Sequence, residues 1–249
     1  MSLPPLTPNG WLRFDIVESL VADLPRSTKI LEIGAGEGAT GVRLAERFDY
    51  VGLEPDPISC AKARERLDRI GRGKVLCTEL GGIEVGTVFD LVCAFEVLEH
   101  LEDDVAALRE WRQALREGGL VLVSVPVLRG PLRSADYKAG HYRRYEPLAL
   151  AEVLTLAGFT EPRVLRYGFP LGYGLEAVRN LAARLGQPHG SKAEATAGSG
   201  RWLQPSQSLG WLTRLGTAPF RRLQRPFVNS RFGTGLVAVA RDSAVEEAR

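Results

Sequence analysis

The chain has 249 residues, of which 45% are hydrophobic and 25% are charged, a composition typical of one globular α/β domain with an elaboration. The formal net charge of +2 is too small to indicate a nucleic-acid partner, so we expect none. The first residues lack the basic and apolar regions of a signal peptide, and no uncharged apolar run is long enough to span a bilayer, which favours a cytoplasmic protein.

Strands and helices are predicted to alternate through the first half of the chain. The predicted helices, which have apolar residues at helical spacing, cover 11–24, 39–47, 58–70 and 102–116. The predicted strands cover 30–33, 50–54, 74–78, 89–95 and 120–125. Because short loops join these elements, we predict an α/β fold with a doubly wound, Rossmann-like parallel sheet.

Two more strands are predicted beyond this unit, over 163–167 and 235–240. A helix that Pro147 opens and Gly158 closes precedes them. Residues 169–232 form a connection between the two strands that is far longer than is usual. We predict a helical insertion there, made of a helix over 171–185, a mobile Gly/Ser/Ala/Pro-rich stretch over 186–208 and an Arg-bearing amphipathic segment over 209–227.

The three cysteines, Cys60, Cys77 and Cys93, have no spacing typical of a metal site. Each lies in a segment predicted to be a strand or helix of the core. We therefore expect three reduced cysteines that pack in the interior, and we predict no metal site.

Three glycines at alternate positions, Gly34, Gly36 and Gly38, follow the first predicted strand and precede a helix. Glycine has no Cβ and accepts positive φ, so the backbone can approach a ligand closely. The N–H groups at the start of the helix favour polar or anionic ligand groups. A plain tight turn is the alternative, but it does not need three alternate glycines, and we predict a nucleotide-type cofactor site.

The spacing of this turn leaves two cofactors open. Gly34-x-Gly36-x-x-Ala39 also fits the dinucleotide pattern, and Glu54 lies at the distance expected of its ribose-binding acid. An NAD-dependent oxidoreductase is therefore one alternative, and an enzyme that uses S-adenosylmethionine (SAM) is the other. Glu32 inside the strand is not expected in a dinucleotide site, and the chain has no Tyr-x-x-x-Lys pair for short-chain hydride chemistry. Both features favour SAM.

The set of motifs along the predicted sheet resembles the class I SAM-dependent methyltransferases, and within them the type 11/type 12 group of small-molecule enzymes. Residues 32–38 resemble the family's first motif, residues 89–103 its fourth-strand segment and residues 118–126 its fifth strand. The resemblance covers residues 29–157 and thins in the insertion. It implies SAM as the cofactor, methyl transfer as the reaction and a seven-stranded sheet with an antiparallel seventh strand. We expect residues 1–249 to form a single domain of this kind.

The resemblance also implies which residues bind the cofactor. The three glycines would lie along its methionine moiety, and Glu54 would accept hydrogen bonds from both ribose hydroxyls, because an ionised carboxylate is only an acceptor. Residues 78–80 would contact the adenine, unless they form an ordinary surface loop. The predicted cofactor-binding residues are Glu32, Gly34, Gly36, Gly38, Glu54, Thr78, Glu79, Leu80, Phe95 and Glu96.

The acceptor atom is predicted from the end of the fourth strand. Relatives that methylate amino groups carry an Asp/Asn-Pro-Pro-aromatic tetrapeptide there, whereas this chain has Phe-Glu-Val-Leu over 95–98. The difference argues against DNA-base or glutamine methylation. We predict methyl transfer to an oxygen, and less to a carbon or nitrogen, of a small-molecule or carrier-linked substrate. A non-catalytic Rossmann-like interaction module is a further alternative.

Two histidines are candidates for a catalytic base, because a neutral imidazole can take up a proton near pH 7. His100 lies at the predicted cofactor edge, where it also fits a purely architectural role. His141 belongs to residues 140–145, which resemble a Gly-His-x-Arg-x-Tyr element of the methyltransferase subgroup. There Arg143 and Tyr145 would bind the substrate, or the element is a polar loop anchored on the fold.

Two peripheral segments are predicted to cover the domain. Residues 1–28 contain a helix that acts as a lid over the cofactor or packs its apolar face on the sheet. Residues 195–240 contain six arginines and no Asp or Glu. For 201–231 we predict packing on the core or a homodimer contact first, and peripheral contact with an anionic membrane, or with a phosphate-bearing substrate, as the alternative.

Overall fold

A computed structural model describes residues 3–84, 86–127, 140–185 and 210–243. In this part of the chain, seven strands form one sheet in the order β3-β2-β1-β4-β5-β7-β6. The strands are β1 Lys29–Ile33, β2 Asp49–Leu53, β3 Lys74–Leu76, β4 Phe89–Phe95, β5 Leu115–Pro126, β6 Phe159–Tyr167 and β7 Gly235–Asp242. β7 is antiparallel to both of its neighbours. The predicted Rossmann-like sheet with an antiparallel seventh strand is confirmed.

Helices cover both faces of the sheet. They are α1 Pro8–Leu20, α2 Gly41–Ala45, α3 Pro57–Ile70, α4 Asp104–Gln113, α5 Pro147–Leu156, α6 Leu171–Leu185 and α7 Gly210–Gln224, with short 3₁₀ helices at Leu80–Gly82, Leu98–His100 and Arg225–Phe227. Apolar residues of α1, α2 and α3 pack on one face with Ile30 and Tyr50, and those of α4 and α5 pack on the other with Leu31 and Val92. Burial on both faces accounts for the nearly continuous apolar sequence of β4.

The first helix begins and ends earlier than the predicted range of 11–24. The Thr7 hydroxyl accepts a hydrogen bond from the Gly10 N–H (3.0 Å), and Pro8 occupies the first turn. A hydroxyl cap followed by proline is a strong helix start. The apolar periodicity alone did not show this start, because Thr7 and Pro8 are not part of the apolar stripe.

The boundary between α4 and β5 is the largest correction to the predicted elements. The helix was expected to run over 102–116 and to end at Gly118-Gly119, but it ends at Gln113, and β5 begins at Leu115. Leu115 pairs with Phe89 before the register between the two strands shifts. Gly118 (φ +67°) lies within this irregularity. The glycines therefore permit a bulge inside a strand instead of closing a helix.

Two of the three cysteines are joined, so the prediction of three reduced cysteines is wrong for Cys60 and Cys77. They form a disulfide with a Cα–Cα distance of 5.5 Å, which ties α3 to the end of β3. Cys93 on β4 is free and buried, as predicted. The pairing was not visible in the sequence because it depends on how α3 packs beside β3.

The insertion over 169–232 is helical where the structure describes it, with α6 and α7 at the predicted positions. The stretch 186–208, predicted to be mobile, lies outside the described residues. Gln224, at the end of α7, is 1% exposed and joins the insertion to the first helix. Its amide nitrogen donates to the Leu12 carbonyl (2.9 Å), and its amide oxygen accepts from the Gly168 N–H (3.0 Å). The insertion is thus anchored on α1.

Replacing Gln224 with leucine is expected to destabilise the protein. The change leaves the buried Gly168 N–H without its partner, at a cost of about 1–3 kcal/mol, and removes the second hydrogen bond to the Leu12 carbonyl. Urea denaturation of the wild type, Gln224→Leu and the exposed control Gln113→Leu measures the effect. Equal unfolding free energies for the two variants would contradict the anchoring role of Gln224.

Candidate functional site

The carboxyl ends of β3, β2, β1 and β4 lie side by side at one edge of the sheet. Open α/β sheets bind ligands at this edge. Each of these strands is followed by predicted cofactor-binding residues, with Thr78 after β3, Glu54 after β2, Gly34 after β1 and Glu96 after β4. The structure therefore brings together residues that are up to 62 positions apart in the sequence.

The glycine turn after β1 has three different constraints. A Cβ at Gly34 would lie 2.7 Å from Val97 Cγ2, and one at Gly38 would lie 2.9 Å from the Ala63 Cβ on α3. A Cβ at Gly36, where φ is +55°, would meet nothing within 4 Å. Gly34 and Gly38 are thus needed for packing within the protein, whereas Gly36 faces open space. This is the position at which a ligand can lie directly against the backbone.

Glu54 connects the end of β2 to the glycine turn. Its Oε2 accepts a hydrogen bond from the Gly36 N–H (2.7 Å), and its Oε1 accepts one from the Asp56 N–H (2.9 Å). Each oxygen of an ionised carboxylate can accept more than one hydrogen bond. Glu54 is 8% exposed and stands next to the open space at Gly36. Its chemistry and position fit a diol such as the ribose of SAM.

Glu32 lies beneath the turn, on β1. It is 2% exposed and accepts a hydrogen bond from the Tyr50 hydroxyl (2.6 Å). Burial raises the pKa of Glu32 to about 7, against the opposing effects of the Tyr50 hydrogen bond and of Arg13. The carboxyl group is thus hydrogen-bonded to the neighbouring strand β2, and its contact with the cofactor stays a prediction.

The predicted adenine-contacting residues follow β3. Thr78 is half-buried, Glu79 is exposed, and Leu80 begins the short 3₁₀ helix Leu80–Gly82. They lie at the outer end of the row of strands, beside the turn after β2. This placement fits a ligand that lies across the strand ends, and contact with adenine stays a prediction.

Glu96 directly follows β4, and its backbone lies in the left-handed region, at φ +59°. Its Oε1 accepts hydrogen bonds from Ser124 Oγ (3.0 Å) and Tyr167 Oη (3.2 Å) and lies 3.4 Å from Arg13 Nη1. Burial raises the pKa of Glu96, but Arg13 and the Ser124 hydrogen bond outweigh burial, so that the pKa is below its usual value. Sequence analysis did not identify Ser124 or Tyr167, which come from β5 and β6.

The first helix reaches this edge through the same arginine. The Arg13 guanidinium lies over the Phe95 ring, 5.7 Å from its centre, while Trp11 and Phe14 are buried. Both predicted roles of residues 1–28 are thus compatible with the structure, because the apolar side chains pack and the arginine faces the site. Closure of this helix over a cofactor stays a prediction.

Two histidines and a glutamate form a cluster next to Glu96. The rings of His100 and His141 are 4.7 Å apart at an angle of 79°, and His141 Nε2 lies 3.9 Å from Glu99 Oε1. Burial and the neighbouring His141 lower the pKa of His100 to about 4, so this ring is neutral at pH 7. Burial and Glu96 raise the pKa of Glu99 well above its usual value. The structure thus places both base candidates in one site.

Arg143 and Tyr145, predicted to bind substrate, both contact Asp104 at the start of α4. Arg143 Nη1 lies 2.7 Å from Asp104 Oδ2, and the Tyr145 hydroxyl donates to the same oxygen (2.8 Å). Tyr145 is only 3% exposed. These contacts favour the alternative of a polar loop anchored on the fold. Arg144 adds a second anchor through a buried ion pair with Glu176 on α6 (2.8 Å), which the sequence did not reveal.

Comparison with known proteins identifies the family. Residues 31–121 match the family model Methyltransf_12, "Methyltransferase domain". A protein of Mycolicibacterium smegmatis named as a probable S-adenosylmethionine-dependent methyltransferase is 31% identical over 155 residues, which are 61% of this chain and 60% of the relative. Residues 31–121 carry a methyltransferase domain, and the relative that matches this part of the chain is named as a SAM-dependent methyltransferase. The predictions of the family and of SAM as its cofactor are confirmed, and the NAD alternative loses its support.

This chain is also similar to an O-methyltransferase in sequence and to a solved methyltransferase structure in fold. The ubiquinone biosynthesis O-methyltransferase of Azorhizobium caulinodans is 32% identical over 104 residues, 40% of each chain. Phosphoethanolamine N-methyltransferase 2 of Haemonchus contortus in complex with SAM has a TM-score of 0.60 at 17% identity, covering 95% of this chain and 54% of the other. The second likeness concerns the fold alone. The aligned part of this chain spans 60% of the length of the Mycolicibacterium smegmatis relative and 40% of that of the Azorhizobium caulinodans relative.

Helix α7 lies within residues 201–231, for which peripheral membrane contact was predicted as an alternative. Four large apolar side chains of this helix are exposed, Trp211 (59%), Leu212 (47%), Leu215 (62%) and Leu223 (48%), and the helix also carries Arg222. No helix among the described residues has the length and apolarity needed to cross a membrane. Peripheral membrane contact and a homodimer both stay predictions.

Replacing Glu54 with alanine is expected to weaken binding of the product S-adenosylhomocysteine by about 1–3 kcal/mol, or roughly 5- to 150-fold. The carboxylate is the acceptor that would face the ribose hydroxyls, and its removal leaves them unpaired. Titration calorimetry measures the affinity, with the exposed Glu46→Ala as the matched control. An unchanged affinity would show that Glu54 does not contact the cofactor.

Glu32 is expected to make the cofactor-free protein less stable as the pH rises. Its pKa of about 7 in the folded protein exceeds the usual 4.5, so its protonated form stabilises the fold below pH 4.5, and this contribution is lost by pH 7. The two pKa values differ by an amount that corresponds to about 3 kcal/mol. The groups that face Glu32 are Tyr50, Arg13, Glu54 and Cys93.

Urea denaturation between pH 5 and pH 8 compares the wild type with Glu32→Gln. The variant is expected to gain up to about 3 kcal/mol relative to the wild type across this range, because glutamine does not ionise. Parallel stability curves for the two proteins would contradict the raised pKa.

Proposed function

We propose that the protein transfers the methyl group of SAM to an oxygen of a small-molecule or carrier-linked substrate. The observation that carries the proposal is the cluster of Glu99, His100 and His141 beside Glu96 at the end of β4. The cluster presents carboxylate and imidazole groups at the sheet edge, next to the glycine turn. These groups suit an acceptor that must lose a proton, as a hydroxyl does.

The cofactor, when bound, supplies a methyl group on a positively charged sulfur. The residues of the chain act by holding it in place. Gly36 leaves room for the ligand against the backbone, and Glu54 is positioned to accept hydrogen bonds from it. Fixing two reactants at near-attack distance supplies much of the rate of a displacement reaction. The preformed link between Gly36 and Glu54 serves this purpose, since it requires no rearrangement.

The acceptor is assigned to the side of β4, on which the predicted bases lie. A His100 pKa of about 4 keeps this ring neutral but makes it a weak proton acceptor at pH 7. His141 comes from the loop that follows β5 and its ring contacts that of His100, so an acceptor bound against this pair would contact both segments. The relative from Azorhizobium caulinodans is named as an O-methyltransferase, which agrees with an oxygen acceptor.

The test is a methyl-transfer assay with SAM and a panel of acceptors that present a phenol, a catechol, a carboxylic acid or an amine, free and linked to an acyl carrier protein. Mass spectrometry detects the methylated product and S-adenosylhomocysteine. We expect products from oxygen acceptors. His141→Gln should lower kcat by about 100-fold or more, with little change in the affinity for S-adenosylhomocysteine.

The exposed Glu110→Gln on α4 is the control and should leave turnover unchanged. Methylation of amines alone would overturn the oxygen assignment. Binding of NAD without S-adenosylhomocysteine would favour the oxidoreductase. Binding of S-adenosylhomocysteine without transfer to any acceptor of the panel would favour the non-catalytic module.

A further inference from the structure

We propose that Glu99, His100 and His141 bind one divalent transition-metal ion. One ligand atom of each residue lies within 4.8 Å of the others. Protein nitrogen and oxygen ligands stand about 2.0–2.2 Å from such an ion, so two ligands of one ion lie at most about 4.4 Å apart. The three side chains therefore need to move by only a few tenths of an ångström to share an ion.

The Glu99 carboxylate gives the strongest indication of a missing cation. The side chain is 0% exposed, and neither of its oxygens has a hydrogen-bond partner. Burial of an unpaired carboxylate is costly, and such groups in proteins are paired or coordinate metals. The nearby Glu96 adds a second negative charge, and its Oε1 is already occupied by Arg13, Ser124 and Tyr167. An ion between Glu99 and the two rings would provide the absent positive charge.

The surroundings of His100 have the arrangement of a metal ligand. Its ring is hydrogen-bonded to the main chain of Gly140, while its Nδ1 has no hydrogen-bond partner. Metal-binding histidines commonly use one ring nitrogen for the ion and the other for a backbone carbonyl or a carboxylate. The Tyr142 N–H donates to the Glu99 carbonyl (2.9 Å), which fixes the His141 segment against the 3₁₀ helix Leu98–His100.

The ligand types indicate which ions would bind. Two imidazoles and one carboxylate suit Zn²⁺, Fe²⁺, Co²⁺ or Mn²⁺, whereas Mg²⁺ and Ca²⁺ prefer sites composed of oxygen. Three protein ligands leave at least one coordination position open. The proposal departs from the prediction of no metal site, because the ligands come from residues 99–100 and 141, which have no local metal-binding spacing.

The open position gives the ion a role in catalysis, and this part rests on the proposed function. A hydroxyl that enters the position would bind the ion through its oxygen and release its proton to water, since both imidazoles then serve as ligands. The oxygen would then stand beside the glycine turn, where the methyl donor is expected. The oxygen would take the methyl group of SAM, and S-adenosylhomocysteine would leave. Binding of the ion itself is independent of any acceptor.

The experiment measures metal binding to protein that was freed of metal by chelation. Co²⁺ is followed by its visible absorption and Mn²⁺ by electron paramagnetic resonance, without SAM or acceptor. We expect one equivalent of Co²⁺ to bind, with Mg²⁺ at least about tenfold weaker. Glu99→Gln, His100→Gln and His141→Gln should each weaken binding at least about tenfold, whereas Glu110→Gln should not.

Absence of Co²⁺ binding to the wild type would overturn the proposal, and so would binding that all three variants retain. The wild-type result stands even if a variant does not fold, and S-adenosylhomocysteine binding reports on the fold of each variant. Stoichiometric metal binding without methylation of any oxygen acceptor would contradict the proposed function but would support the metal site.

Discussion

The hydrogen bond from the Gly36 N–H to the Glu54 carboxylate is the contact on which the cofactor side of the site depends. It exists because β1 and β2 are parallel neighbours, so that the turn after one strand and the acid after the other meet at the same edge. The bond holds the backbone at Gly36 open, with space where a side chain would otherwise lie. The strand order brings the turn and the acid to the same edge of the sheet. The glycines then leave room for a ligand, and Glu54 supplies hydrogen-bond acceptors.

Four carboxyl groups lie at this edge, of which Glu32, Glu54 and Glu99 are buried and Glu96 is partly exposed, and the protein compensates each of them differently. Glu54 accepts main-chain N–H groups, Glu96 has two hydroxyls and a guanidinium, and Glu32 has the Tyr50 hydroxyl and a raised pKa of about 7. Among these four, Glu99 is the one whose oxygens have no hydrogen-bond partner. Glu54 thus has hydrogen-bond donors and a position suited to a ligand, whereas Glu99 has no hydrogen-bond partner for its carboxyl oxygens. The two residues differ in the same way as the parts of the site for which we predict cofactor binding and acceptor binding.

The backbone at Glu96, next to the cluster of Glu99, His100 and His141, has a strained conformation. A non-glycine residue at φ +59° costs free energy, of the order of 1–3 kcal/mol, that surrounding contacts must offset. Here the contacts come from Ser124, Tyr167 and Arg13, which belong to three different elements. These contacts hold the Glu96 carboxylate beside Arg13 of the first helix, where Ser124 and Tyr167 also donate to it.

The sequence predicted the strands, the doubly wound sheet and the family, because apolar periodicity and closely spaced motifs are local. It failed where distant contacts decide. Gly118 looked like the end of a helix, but the pairing of β5 with β4 places it inside a strand. Cys60 and Cys77 looked like separate core residues until α3 was packed beside β3. Tyr145 was expected to bind substrate, yet its partner is Asp104, an acid 41 positions earlier whose role only the fold reveals.

Contacts of the same kind connect the insertion to the histidine cluster. The loop that carries His141 is fixed on one side by Asp104 of α4, and on the other by the buried ion pair of Arg144 with Glu176 of α6. Because Glu176 belongs to the insertion, a change in the position of α6 moves the anchor of this loop. The ion pair of Arg144 with Glu176 thus links the insertion to the segment that carries His141, one of the two histidines of the cluster.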